Sequence, residues 1–557
     1  PISDGPRAKA DASDSAAEQL QQAGMHHDGM HYFPFTEAGK PSSTHGLLCI
    51  NHEYTDDGLL HAGGMQNWSA EKVAKSKAAT GVSVIEVKQQ QGEWQLVRPS
   101  VFARRISADT PCRLAGPARA HPSMITATDR WGEFVLGTLN NCAMGFTPWG
   151  TYLTCEENFN GYFKGPKSAS GDQKRYGFTE AGFGYRWHEF DERFDLNLHP
   201  NEANRFGWVV EIDPWHPEKP PVKRTALGRF KHEGATVTLA RDRRVVVYMG
   251  DDERFEYIYK YVSKDRYIVG QSDTDRLLDD GTLYVARFGD DGKGRWLALR
   301  HGQKYPNGSL TTENGFNNQG DVAIRCRQAA DIAGASKMDR PEWIAVHPKT
   351  GEVYVTLTNN SKRGTSEVPG LNAANPRAEN VFGHIIRWRE NSHDAAATTF
   401  EWDVFALAGD PQHPDEAKRG NIKGDAYGSP DGLWFDNSGH LWIQTDVSTS
   451  VLNKGDYARL GNNQMLVADP QSGLTQRFLT GPNGCEITGI TSTPDGRSLF
   501  VNIQHPGETA SERSDPAKPT AISAWPANQF PEAVAGRPRS GTVVIARQDG
   551  KEISTNK

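Results

Sequence analysis

The feature of this 557-residue chain that most restricts its fold is a weak internal repeat. Four segments share one order: an acidic residue, an apolar strand, a turn, a second apolar strand and a polar ending. They are EGATVTLARDRRVVVYMGDD from Glu233, EWIAVHPKTGEVYVTLTNN from Glu342, DGLWFDNSGHLWIQTD from Asp431 and EITGITSTPDGRSLFVNIQH from Glu486. The turns PKTG, DNSG and TPDG each place glycine where a hairpin needs positive φ. A looser fifth copy, TLNNCAMGFTPWGTYLTCEEN, ends at Cys155-Glu156-Glu157, and GLLCINHEY ends in the same polar manner at His52 and Glu53. Repeated strand pairs separated by long variable insertions predict an all-β fold, a β-propeller of about six blades with irregular and partly helical insertions. Glycine (56) and proline (32) suit many short strands and turns.

The expected organisation is a lead segment over 1–40, with SAAEQLQQAG helical, and a single propeller domain over 41–557. Insertions fall near 160–205 and 361–380. The strand TVVIARQDG (542–550) is expected to close the ring against an N-terminal strand such as GVSVIEV (81–87), removing free sheet edges. No run of about 18 apolar residues is present, so no span of a membrane is expected. A net charge of −7 without a long basic run speaks against a nucleic-acid partner. The six cysteines show no CxxC spacing, which argues against a zinc knuckle and a disulfide-dense scaffold and leaves one or two disulfides open. The first residue is Pro1, as in a processed chain, so any export signal is out of view.

In a propeller, the start of one inner strand and the end of a neighbouring one approach the central channel. Carboxylates gathered there repel one another unless cations bind between them. The candidate metal ligands are therefore Glu53, Cys155, Glu156, Glu233, Asp251, Asp252, Glu342, Asp431 and Glu486. In Cys155-Glu156-Glu157-Asn158 a thiol beside carboxylates offers soft and hard donors, suited to a transition metal next to a hard cation; a lone cysteine is more often a small buried residue. Asp251 and Asp252 end the strand VVVYM, and alternation lets only some of that acidic run face inward. Glu256 is a further candidate. Asn359, Lys362 and Arg363, in NNSKR after VYVTLT, form a candidate oxyanion site, arginine donating in pairs to phosphate. His52 and His505 end strands and could ligate a metal or move a proton. No GxSxG, GxxxxGK[ST] or HExxH motif competes.

Together the strings LLCINHEYT, GVSVIEV, TPWGTYLTCEENFNGYF, KHEGA, YMGDDERFEYIYKYV, MDRPEWIAVHPKTGEVYVTLTNNSKR, SPDGLWFD and ITSTPDGRSLFVNIQHPGE resemble the PhoX alkaline phosphatases, over about 45–510. The resemblance implies an exported, periplasmic or secreted enzyme, commonly sent by the twin-arginine route, acting on phosphate monoesters. It implies a ferric pair (Fe3+) with a bridging oxo group and several Ca2+ ions, Cys155 as an iron ligand and Arg363 on the phosphoryl group. The reaction expected from it is in-line attack on phosphorus by a metal-bound oxo or hydroxide, with Arg363 and Asn359 stabilising the charge. The expected partners are small phosphate esters, for a monomer that binds neither nucleic acid nor membrane. Two other readings share the fold: a calcium-dependent lactonase, and a non-catalytic binding platform. The Lys-Arg pair in TNNSKR and the thiol of TCEEN favour the phosphatase.

Overall fold

Each repeated segment folds as the hairpin its turn predicts. Gly351, Gly439 and Gly496 take φ of 71°, 96° and 65° at the three turns, where a residue with a Cβ would be strained. In DNSG the Asp436 carboxylate accepts from the backbone N–H of Gly439 and His440 at 2.8 and 3.0 Å, which fixes the turn and the register after it. The computed structural model describes residues 1–366, 368–510 and 513–554.

The hairpins become the inner halves of six blades. Blade I is built from His27–Glu37, Lys40–His52, Gly81–Gln90 and Glu93–Leu96. Blade II begins with Asn141–Phe146 and Tyr152–Glu156, blade III with Thr236–Leu239 and Arg244–Gly250, and blade IV with Pro341–Val346 and Val353–Leu357. Blade V begins with Pro430–Phe435 and Leu441–Thr445; blade VI comprises Glu486–Ser492, Ser498–Gln504 and Gly541–Ala546. Blades III and IV share one continuous nine-stranded sheet through Lys293–Ala298 and Thr399–Leu407. The six inner strands touch in a closed ring, the first packing against those of blades II and VI. Apolar side chains fill the wedges between blades: Tyr354, Phe435 and Ile443 share one cluster, Trp442, Ile487 and Val501 another. Burial on both faces of the inner strands, as in Pro341–Val346, makes the ring rigid enough to hold a site on its axis.

Three expectations about the chain's organisation change. Residues 27–37 are the innermost strand of blade I rather than part of a lead segment. The strand at 541–546 pairs with Ser498–Gln504 inside blade VI, not with Gly81–Gln90, which is already taken by Lys40–His52. The ring therefore closes by packing of blade I on blade VI. The lead helix is only Ala16–Gln19, held by a capping box between Ser15 and Glu18. The 160–205 insertion has short helices and no named strand, and packs Tyr162, Trp187, Phe194 and Phe206 into an aromatic cluster. All six cysteines are free thiols. Among the described residues no helix is long and apolar enough to cross a membrane.

Candidate metal centre

Two local devices turn side chains from the blades into the central channel. The first is a break in register between the inner and second strands. It spans His27/Met30, Asn141/Met144, Pro341/Ile344 and Pro430/Leu433, so Asp28, Cys142, Glu342 and Asp431 all sit inside bulges, which re-aim a side chain out of the pleat. The second is a left-handed residue two positions earlier: His26, Asn140, Arg340, Ser429 and Gly484 have φ of 49°, 51°, 57°, 49° and 64°. Four of these carry a Cβ, and the strain is maintained because the ring over-determines the backbone. Blade III does without this turn, and its acid, Glu233, precedes the strand.

The result is two tiers of ligand atoms. Inner-strand starts supply Asp28, Cys142, Glu233, Glu342, Asp431 and Glu486; second-strand ends supply Glu53, Glu157, Asp252, Asp446 and His505. Four groups bring their ligand atoms within 4.8 Å of one another: Asp28, Glu53 and Cys142; Glu157, Glu233 and Asp252; Glu233, Glu342 and Asp431; and Asp446, Glu486 and His505. All of these residues but Asp28 line a cavity of about 330 Å³, with Glu233 shared between two groups.

The electrostatics of this cavity are unbalanced. Burial pushes the carboxyls of Glu53, Glu157, Glu233, Glu342 and Glu486 well above the usual range, and their neighbours' charges add to it. Burial likewise raises Asp28 to about 6 and Asp431 to about 8, and lifts the Cys142 thiol, which donates to Glu233 Oε1 at 3.1 Å. The arginine lining the cavity is Arg340, whose Nε and Nη2 donate to the two oxygens of Asp252 at 2.8 and 2.7 Å; Nη2 also lies 3.1 Å from Glu342. Asp28 Oδ2, Glu157 Oε1, Asp431 Oδ1 and both amide atoms of Gln504 are buried without a hydrogen-bond partner. Buried polar atoms left in that state cost stability, and cations coordinated between them remove the cost. The all-oxygen groups suit a hard cation and the thiol-containing group a transition metal.

The expected ligands Glu53, Glu233, Asp252, Glu342, Asp431 and Glu486 are thus brought together. Others are not. Cys155 is fully buried among Val209, Leu227 and Phe230; the thiol at the channel is Cys142. Glu156 accepts from the ammonium of Lys223 at 2.8 Å, both groups fully buried, and from the N–H of Leu139, Gly207 and Trp208; its neighbour Glu157 lines the channel. Asp251 accepts from Arg327 Nε at 2.9 Å and from Lys231 N–H, whereas Asp252 faces the cavity. Arg363 is fully buried on Asp339 at 2.7 Å, with its guanidinium 4.8 Å from the Phe255 ring centroid. Asn359 is half-buried and Lys362 exposed, and neither lines the cavity. Glu256 is tied to Arg175, and His52 to Ser83. His505 lines the channel, 3.5 Å from Glu486, with a strained φ of 33°.

Asp28, Cys142 and Asp446 among the grouped side chains, and the arginine Arg340, were not singled out from the sequence, and Glu157 entered only within the TCEEN motif. Cys142 was within reach of the repeat, since it occupies the inner-strand start where other copies carry an acid.

A geometry of this kind has relatives. The family model described as alkaline phosphatase PhoX matches residues 1–507. The chain belongs to the PhoX alkaline phosphatases. Its structure superposes on Pseudomonas fluorescens PhoX in complex with vanadate, a transition-state analogue, with a TM-score of 0.91, 47% identity, and coverage of 99% of this chain and 94% of that one. This PhoX-family protein is an enzyme that hydrolyses phosphate monoesters by a metal-dependent mechanism. Lower matches include a Dyadobacter fermentans protein of unknown function (TM-score 0.36, 9% identity, 95% and 97% coverage) and a Xanthomonas campestris gluconolactonase (TM-score 0.25, 12% identity, 71% and 86% coverage). No curated protein sequence matches the chain.

Proposed function

We propose that calcium and ferric iron are the ions of this phosphatase, with iron at Cys142, Asp28 and Glu53 and calcium among the carboxylates of blades II to V. The observation that carries this reading is the pair of buried, unpartnered oxygens on Glu157 and Asp431 in the cavity, together with a third on Asp28, whose carboxylate groups with Glu53 and Cys142. Arg340 is the one arginine lining the cavity among the described residues. When bound, such ions neutralise the phosphoryl oxygens and supply a nucleophile near neutral pH.

The chain's own residues do the positioning. Asp252 and Glu342 clamp Arg340 from one side, so its planar fork is held in place before substrate arrives. Arg340 Nη1 makes no hydrogen bond among the described residues and is a donor for the non-bridging oxygens as charge builds on them. The Gln504 amide, buried with both atoms unpartnered, lines the same cavity. The Tyr54 hydroxyl donates to Glu508 at 2.7 Å, and Thr449 donates to the other Glu508 oxygen at 2.9 Å, fixing that wall of the channel. We assign the working compartment to the periplasm or the exterior and the working form to a monomer acting on small phosphate esters.

Elemental analysis tests the ion assignment. The purified protein is expected to carry iron together with calcium, and Cys142→Ala to lose the iron while keeping most of the calcium. A Cys142→Ala protein that retains its iron sinks it.

A further inference from the structure

The floor of the channel is polar, but one side of its mouth is aromatic. Tyr54, Phe183 and Tyr185 line the same cavity as the metal ligands, and the Phe183 ring remains 43% exposed. A single exposed phenylalanine on open surface needs no explanation. This one is built into place by the 160–205 insertion. Its N–H donates to the Gly161 carbonyl at 2.7 Å, after a left-handed turn at Gly182, φ 57°. Gly161 lies directly under the ring: a Cβ there would stand 2.2 Å from Phe183 Cδ2. The chain beyond it is anchored as well. Tyr185 stacks on Tyr162 with centroids 4.4 Å apart and planes 3° apart, and the Arg513 guanidinium stands 4.7 Å from the Tyr185 centroid. Tyr54 is held by Glu508 and by edge contact with His26 at 4.2 Å.

We propose that Phe183, backed by Tyr185, is a leaving-group subsite favouring phosphate monoesters whose alcohol carries a flat aromatic or heteroaromatic ring. The proposal rests on the channel being the substrate site. With the phosphoryl group at Arg340 and the metal ligands, the leaving group points away from the polar floor, and the cavity's remaining apolar face is this aromatic wall. A ring laid on Phe183 gains offset stacking and covers an apolar surface otherwise open to water. A small polyol gains neither. Arylalkyl esters and nucleotides share this ring face, and separate substrates distinguish them.

The test compares the metal-loaded enzyme with Phe183→Ala on benzyl phosphate, a nucleoside 5′-monophosphate and glycerol 2-phosphate. The readout is kcat/KM for each ring ester divided by that for glycerol 2-phosphate. Phe183→Ala is expected to lower this ratio about 3- to 10-fold for at least one ring ester, and Phe183→Trp to preserve it. Gly161→Ala, which displaces the ring without removing it, is expected to lower the same ratio. Ratios unchanged in Phe183→Ala for both ring esters overturn the proposal, as does an equal loss on all three substrates. If the channel were not the substrate site, glycerol 2-phosphate turnover would survive Glu233→Gln, an outcome separate from either.

Discussion

The channel and the belt of ion pairs around it use the same residue types to opposite ends. In the belt each buried carboxylate has a cation supplied by the chain: Glu156 with Lys223, Asp251 with Arg327, Asp339 with Arg363, Glu390 with Lys260. In the channel the carboxylates outnumber the one arginine and several oxygens have no partner. Neighbours in sequence separate between belt and channel, as Glu156 and Glu157 do, and Asp251 and Asp252 likewise, although Asp252 shares the channel's Arg340 with Glu342. A buried acid neutralised by the protein holds blades together; one left without a cation is available to a metal. Removing a partner from the belt strands a buried charge, whereas altering the channel removes chemistry.

The strongest break in this comparison is at the ligands themselves. Glu233→Gln, which touches two of the four groups, is expected to lower kcat by about 100-fold or more with the fold kept; wild-type turnover in a folded Glu233→Gln protein would refute its place in the centre. Cys142→Ala should behave alike, while Cys155→Ala should keep turnover and lose about 1–2 kcal/mol in urea unfolding through its small cavity.

Next in size are the paired aspartates. Asp251→Asn is expected to cost about 3 kcal/mol of stability by exposing Arg327 to an uncompensated burial, with turnover per folded molecule retained. Asp252→Asn is expected to do the reverse, and equal effects in the two variants would erase the distinction. Arg340→Lys should lower kcat/KM by about 10-fold or more, because an ammonium cannot reproduce the forked hold on Asp252. Lys362→Ala should change kcat/KM by less than about twofold.

Metal removal adds a pH dependence with a defined sign. The channel acids have folded-state pKa values above their unfolded ones, Asp28 about 6 and Asp431 about 8 against 3.8. Such groups favour the unfolded state once pH exceeds the unfolded value. The cost of holding these acids charged in the metal-free channel therefore sets in above about pH 4 and grows up to about pH 8 for these two groups, so the stability gap between calcium-loaded and chelated protein should widen over that range. Melting temperatures of chelated and calcium-loaded protein across that range check this. A gap between the two melting temperatures that narrows from pH 5 to 8 would contradict it.

Much of the fold was legible because its signals are local. The turn glycines of PKTG, DNSG and TPDG and the apolar strands beside them need only neighbouring residues to be read, and the acids opening four repeats follow from them. Asp28 was missed because its strand, HDGMHYFPFTE, sits near the chain start and reads as part of a lead segment, although Ala38 and Gly39 (φ 49° and 77°) turn it tightly onto Lys40–His52. Closure was misplaced because the last strand's partner, Ser498–Gln504, is separated from it by the long 505–540 connection, and no tight turn in the sequence marks the pairing.

The sequence by itself determined a propeller with acids at its repeat ends, and a family whose chemistry is phosphate-ester hydrolysis. Only the tertiary structure decided which member of each neighbouring pair reaches the axis: Cys142 rather than Cys155, Glu157 rather than Glu156, Asp252 rather than Asp251, Arg340 rather than Arg363. The physical reason is that facing in a strand alternates residue by residue. A bulge or a left-handed residue shifts that alternation by one, and in four of the six blades no glycine marks the left-handed residue that turns the chain toward the channel.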